Sequence, residues 1–312
     1  MNMLTQWLRK KDADLNTAVC LEPAGVSFAE VRWTHGRPQL LDCDFRPHLA
    51  DDANAALQQA AKRAGARDCA TVMPLGSYSL LLIEAPEVPA PELRAAVRWR
   101  IRDLIDFHID DAVLDVFDAP ASGARGQTHL YVVVSRSSEV KALADRLQDA
   151  GIKLGVIDIP ELALRNLAAR LPEDEQGVAL LYFGAQRGVI ALCRNQTLYL
   201  ARTLEMGSDR LHEAAADGHT EALFDTLALE VQRSLDYYDR HFQQAPISHL
   251  VIAPLGEPLP GLVESLRGNI GLNVRMLELA EAVDGAEKVA PEQAGACLLA
   301  LGAALRRESK TL

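Results

Sequence analysis

Residues 177–203, GVALLYFGAQRGVIALCRNQTLYLART, read as three short strands, VALLYF, VIALC and TLYLAR. The runs are rich in Val, Ile, Leu and Tyr, and turn signals at Gly184-Ala185-Gln186-Arg187-Gly188 and Arg194-Asn195-Gln196 bound them, so the stretch predicts an antiparallel meander. Residues 18–43, AVCLEPAGVSFAEVRWTHGRPQLLDC, repeat the grammar: an apolar strand, a Gly-containing turn, a returning strand, a turn at His35-Gly36-Arg37-Pro38 and a closing QLLDC. Two copies of one supersecondary unit predict two similar half-folds that face each other.

The composition suits a soluble, multi-subdomain protein. The 312 residues are 49% hydrophobic and 24% charged, enough for two sizeable cores. A net charge of −11 excludes a nucleic-acid-coating role, because neutralising phosphates needs clustered Lys and Arg. Cys20, Cys43, Cys69, Cys193 and Cys297 are scattered through apolar patterns without metal-ligand spacing, so reduced thiols and no metal site are expected. The eight histidines are dispersed, and no GxSxG, GxxxxGK[ST] or HExxH motif occurs, so no catalytic residue is assigned. The opening MNMLTQWLRKK lacks a secretory signal, and the longest apolar run, AGACLLALGAAL, is too short to span a bilayer, which predicts a cytoplasmic protein.

In chain order, Leu4, Trp7 and Leu8 at helical spacing beside Arg9, Lys10 and Lys11 suit either an interfacial foot on an anionic membrane or a lead-in that packs Trp7 on its own domain. Between the strand 68–74 and the helical pattern PELALRNLAARL lies a small inserted unit. It has a strand (78–84), a Pro-punctuated link, a helix (91–107), a strand pair (112–117 and 128–135), a helix (138–150) and a last strand (153–157). The first of its helices sets Leu93, Val97, Ile101, Leu104 and Ile105 on an apolar face and Arg94, Arg98 and Arg102 in a second row. An acidic patch of Asp103, Asp106, Asp110 and Asp111, a partner carboxylate or lipid headgroups can answer that row, or it is a solvated face paired with Glu92 and Asp106. Trp99, off the stripe, is either a partner anchor or core.

The second half continues with an acidic stretch, 207–220, expected to be a mobile loop. A long helix (221–242) follows, then a strand (248–253), a helix from LPGL, a strand (274–279) and a helix (291–306) rich in Ala and Gly. The implied segments are a lead-in (1–17), a first half (18–76 with 156–176), the insert (77–155) and a second half (177–312).

The duplicated meander followed by helices resembles the actin-like ATPase fold, two ribonuclease H-like halves of α/β class. The blocks LRAAVRWRIRDLIDFHIDDAVLDVFDAP (93–120), AGIKLGVIDIPELALRNLA (150–168), LEVQRSLDYY (229–238) and PLGEPLPGLVESL (254–266), in that order, resemble the PilM family of type IV pilus assembly proteins. The resemblance is strongest to its MshI branch, of mannose-sensitive haemagglutinin (MSHA) pilus biogenesis. It implies that a groove between the insert and the first half holds the cytoplasmic tail of a PilN-like inner-membrane partner. The protein would thus sit at the cytoplasmic face of that membrane, with the pilus secretion ATPase as a second candidate partner.

In actin-like ATPases each hairpin carries an Asp on its first strand and a Gly in its turn, for Mg²⁺ or water and for phosphate. By this resemblance Cys20 stands at the first Asp and Tyr182 at the second, while Glu22 and Pro23 open the first turn, adding a repelling carboxylate and removing an N–H. Gly184 is kept, Arg187 is placed to meet a phosphate, and Gly256 is all that remains of the glycine run beside the base. Glu230 and Arg233 are placed to face ribose and base, or form an ordinary helix pair. The expectation is a vestigial cleft with no cofactor, and a scaffold that docks partners through Arg94, Arg98, Trp99 and Arg102. The alternative is a switch that still binds ATP and Mg²⁺. A type II secretion platform ranks third, since such platforms continue into a membrane-spanning helix.

Overall fold

Both meanders fold as their turns dictate. The computed structural model describes residues 15–48, 53–122 and 127–307, and the amphipathic segment with Leu4, Trp7 and Leu8 lies outside them. In the first meander β1 (Leu15–Glu22), β2 (Gly25–Thr34) and β3 (Arg37–Pro47) pair antiparallel, β1 aligning Cys20 with Ser27 and Glu22 with Gly25. After α1 (Ala53–Ala64), β4 (Cys69–Val72) joins parallel to β1.

The insert follows with β5 (Tyr78–Glu84), α2 (Ala90–Ile101), β6 (Ala112–Ser122), β7 (Gln127–Arg136) and α3 (Ser137–Asp149). β8 (Leu154–Asp158) closes the first sheet in the order β3-β2-β1-β4-β8, and α4 (Pro160–Ala168) leads away from it. α2 ends at Ile101, earlier than the pattern suggests: residues 102–107 turn, and Arg98 hydrogen-bonds the carbonyls of Ile109 (2.5 Å) and Ala112 (3.1 Å).

The second meander is β9 (Val178–Phe183), β10 (Gly188–Arg194) and β11 (Thr197–Leu204). Asn195 and Gln196 both take left-handed φ, 49° and 64°, as a two-residue hairpin turn needs. Asp174 holds that turn by accepting the Gln196 N–H at 2.9 Å. The acidic stretch is not a loop: α5 (Ser208–Ala216) forms there because Leu211 sinks into the core while Asp209 and Glu213 face water. Next come α6 (Thr220–His241), β12 (His249–Ile252), α7 (Leu262–Ile270), β13 (Asn273–Met276), α8 (Leu279–Ala282) and α9 (Pro291–Ala304). The second sheet runs β11-β10-β9-β12-β13, the strand order of the first, and the insert forms a third sheet, β5-β7-β6.

One hydrophobic core spans both large sheets. Ala18, Cys20, Ala29 and Val31 from the first and Leu180, Tyr182, Val189 and Ala191 from the second meet around Leu164 and Leu167 of α4 and Leu298, Leu301 and Leu305 at α9. The helices cross closely because position 302 is glycine, whose added Cβ would collide with the Ala163 carbonyl, and Asn166 Nδ2 donates to the Gly302 carbonyl at 2.9 Å. The main chain stitches the lobes again where Leu40 N donates to Asp284 O (2.8 Å) and Asp284 N to Pro38 O (3.1 Å). α6 and α7 cover the far face of the second sheet through Phe224, Leu227, Val231 and Leu266. Among the described residues no helix is long and apolar enough to cross a membrane, and all five cysteines are free thiols.

Candidate functional site

Two concavities flank β1, β4 and β8. The first is a cleft of about 400 Å³ between the hairpin turns, lined by residues 20–23 and 72–76 of the first lobe, by Tyr182 and residues 184–187 of the second, and by Leu299. Cys20, Glu22, Tyr182, Gly184 and Arg187, the five hairpin residues singled out from the sequence, all meet here. The Glu22 carboxylate accepts Ser27 Oγ–H (3.4 Å) and, across the lobes, Tyr182 Oη–H (3.4 Å). Burial pushes its pKa up to about 7 against these two hydrogen bonds. Burial, with the Glu22 charge beside them, also raises Cys20 and Tyr182, so thiol and phenol are neutral near pH 7. Arg187 pairs with Glu205 (3.1 Å) and lies over Gly76, which holds φ +93° and whose added Cβ would make that flexible guanidinium shift.

Glu230, Arg233 and Gly256 are not brought there. Glu230 sits on the outer layer formed by α6, with Arg233 at 2.5 Å and Arg202 of β11 at 3.8 Å, because the apolar stripe of α6 turns this pair outward and away from the cleft. Gly256, in the loop after β12, lies near the N-terminal turn of α9, outside the cleft lining.

The second concavity is a groove of about 510 Å³ between the insert and the first lobe. Residues 115–118 of β6 and Leu93 of α2 form one wall, and residues 157–159, Leu162, Arg165 and Arg306 the other. At its base Asp158, only 3% exposed, accepts Ile159 N–H (2.9 Å) and Arg306 Nη1–H (3.0 Å). Burial raises Asp158 and the Arg306 charge opposes it. Nearby, Glu161 accepts Tyr78 Oη–H at 2.6 Å and is pushed up to about 6 by burial. Tyr131 anchors the insert to the second lobe by donating to the Tyr199 carbonyl (2.8 Å), and Phe117 stacks on it at 5.1 Å.

The arginine row is answered inside the insert, though not by Glu92. Arg94 faces Asp115 (3.9 Å), Arg98 faces Asp110 (4.0 Å), and Arg102, beyond the helix end, pairs with Asp103 (3.2 Å) and lies over the Trp99 ring at 5.3 Å. Asp106 belongs to Arg136 instead (3.4 Å). Trp99 is 73% exposed and so is not core; none of these four residues lines the groove. Asp158, Glu161, Tyr78 and Arg306 carried no sequence signal, since each is an ordinary residue until a segment 83 or 148 positions away meets it.

Two lobes of one strand order, joined through a shared helical layer, with paired hairpin turns facing a cleft and a small domain inserted in the first lobe, make this an actin-like fold. The family profile described as type IV pilus assembly protein PilM matches residues 47–222, more than half of the chain, and the chain belongs to that family. Among solved structures it is similar to a PilM-PilN type IV pilus biogenesis complex, with 24% identity, a TM-score of 0.73, and coverage of 93% of this chain and 98% of that one. It is also similar to the cytoplasmic domain of EpsL, an inner membrane component of the type II secretion system of Vibrio cholerae, at 13% identity and TM-score 0.53, covering 94% and 96%. A Bacteroides thetaiotaomicron protein of actin-like ATPase fold and unknown function aligns at 11% identity and TM-score 0.51, covering 92% and 97%. No curated protein matches the sequence.

Proposed function

We propose that this protein is a non-catalytic scaffold of type IV pilus biogenesis, of the MSHA branch, that docks the cytoplasmic tail of a PilN-like inner-membrane protein in the groove beside β6. The observation that carries the reading is the groove itself, which is bounded by the insert and the first lobe and floored by the buried Asp158–Arg306 pair. The similar PilM-PilN complex supports a partner of that kind.

The cleft does not fit a triphosphate and Mg²⁺. The nearly buried Glu22 carboxyl stands at the first turn, Pro23 offers no N–H, and neutral Cys20 and Tyr182 occupy the positions where the resemblance expects Asp. The nucleotide-switch reading draws support from the place of the cleft, between two hairpin turns.

Calorimetric titration of the purified protein with a synthetic tail peptide of the PilN-like partner, with and without Mg²⁺-ATP, separates the readings. Saturable binding that Leu93→Asp abolishes and ATP leaves unchanged is expected. ATP binding that shifts tail affinity returns the protein to the switch class, and a peptide that does not bind the folded protein rules out docking.

A further inference from the structure

β6 is an edge strand whose outer hydrogen-bonding groups face the groove. The insert's sheet runs β5-β7-β6, so β6 pairs with β7 on one side only. In an antiparallel ladder the N–H and C=O of one residue point to the same side, and successive residues alternate. Two side chains reveal which residues point outward: Arg98 takes the Ala112 carbonyl, and the Asp115 carboxylate takes the Val116 N–H at 3.0 Å. Even-numbered residues therefore face the free edge. Among the described residues nothing else claims the Leu114 N–H and C=O, the Val116 C=O, or the Asp118 N–H and C=O. Val116 and Asp118 line the groove, with Leu130 and Val133 of β7 behind them, so the open edge enters the cavity over residues 116–118.

An open edge lined by Leu93, Val116, Ile157 and Leu162 takes an extended chain with apolar side chains at alternate positions. Charge narrows the choice. The cations of the far wall are engaged, Arg306 with Asp158 and Arg165 with Asn166, whereas on the β6 wall Asp115 is paired only distantly with Arg94 and Asp118 has no ion pair among the described residues. Cytoplasmic segments beside membrane spans are enriched in Lys and Arg.

We infer that the partner tail is held by strand addition, pairing about four residues of its backbone with the outer edge of β6 and setting a Lys or Arg against Asp118. This rests on the docking function proposed above and adds the mode of recognition: main-chain pairing supplies affinity, and Leu93, Leu162 and Asp118 supply selectivity.

The test is a backbone N-methylation scan of the synthetic tail peptide, titrated against the unaltered full chain. Methylation at every second residue of a four- to five-residue run is expected to lower affinity at least tenfold, and methylation at the residues between to leave it within twofold. Asp118→Asn should lower affinity severalfold, with the loss shrinking as salt rises. A parent peptide that binds but tolerates methylation throughout, or loses affinity without alternation, overturns strand addition and leaves docking standing. A parent peptide that does not bind overturns both.

Discussion

The cleft between the hairpin turns and the groove beside β6 share the first lobe, but they treat their polar groups in opposite ways. In the cleft, groups from one lobe are met by groups from the other: Tyr182 donates to Glu22, and Arg187 crosses to cover Gly76. In the groove the buried Asp158 carboxylate is neutralised at the base by half-buried Arg306, while among the described residues the Leu114, Val116 and Asp118 carbonyls and the Leu114 and Asp118 N–H groups of β6 have no partner. A concavity whose donors and acceptors are already matched has little left for a ligand, whereas an edge strand keeps its strongest recognition groups available.

The sharpest way to break this contrast is at the groove base. Arg306→Met leaves the buried Asp158 carboxylate with only the Ile159 N–H and the more distant Arg165 charge, and urea denaturation at pH 7 should show a loss of about 3 kcal/mol. Adding Asp158→Asn should restore most of it, a coupling that a double-mutant cycle reads directly.

Next in size is the cleft's carboxyl. Burial pushes the Glu22 carboxyl up from 4.5 to about 7, so the folded state holds its proton more tightly than the unfolded one. Stability therefore falls as pH rises from 4.5 through 7. Glu22→Gln should remove that fall and stabilise the protein by about 2 kcal/mol at pH 8, below the full value of the shift because the side chain keeps some solvent contact. At pH 4.5 its melting temperature should match that of the parent.

Gly76→Ala is expected to cost about 1–2 kcal/mol, chiefly from the left-handed backbone, with a small part from displacing the Arg187 guanidinium. Arg187→Ala in the same chain should recover that small part. The smallest effect expected is that of Trp99→Ala, which lies off the groove and should change tail affinity by less than twofold. A tenfold loss there would move the docking surface to the outer face of α2.

The duplicated strand order was legible because each meander carries its own turn chemistry, Gly184 through Gly188 and Asn195-Gln196 above all. The five hairpin residues were placed together for the same reason, as each lies within two residues of a turn. α5 was missed because Asp209, Glu213 and Asp217 read as a solvated loop, and only Leu211 and its neighbours, packed on the second sheet, show why a helix forms. Glu230 and Arg233 were misplaced because periodicity fixes the apolar stripe of a helix but not which layer that helix joins. Strand order within the insert leaves no mark on local sequence. That β6 rather than β7 is the free edge, and that Asp158 lies beneath it, became visible only with the sheet assembled.

α4 and α9 belong to both lobes at once, wedged between two sheets that share one core. The seam between the lobes is a close-packed helix pair pinned by Asn166 and Gly302. With one core shared by both lobes, heat should melt them together in a single calorimetric step rather than lobe by lobe.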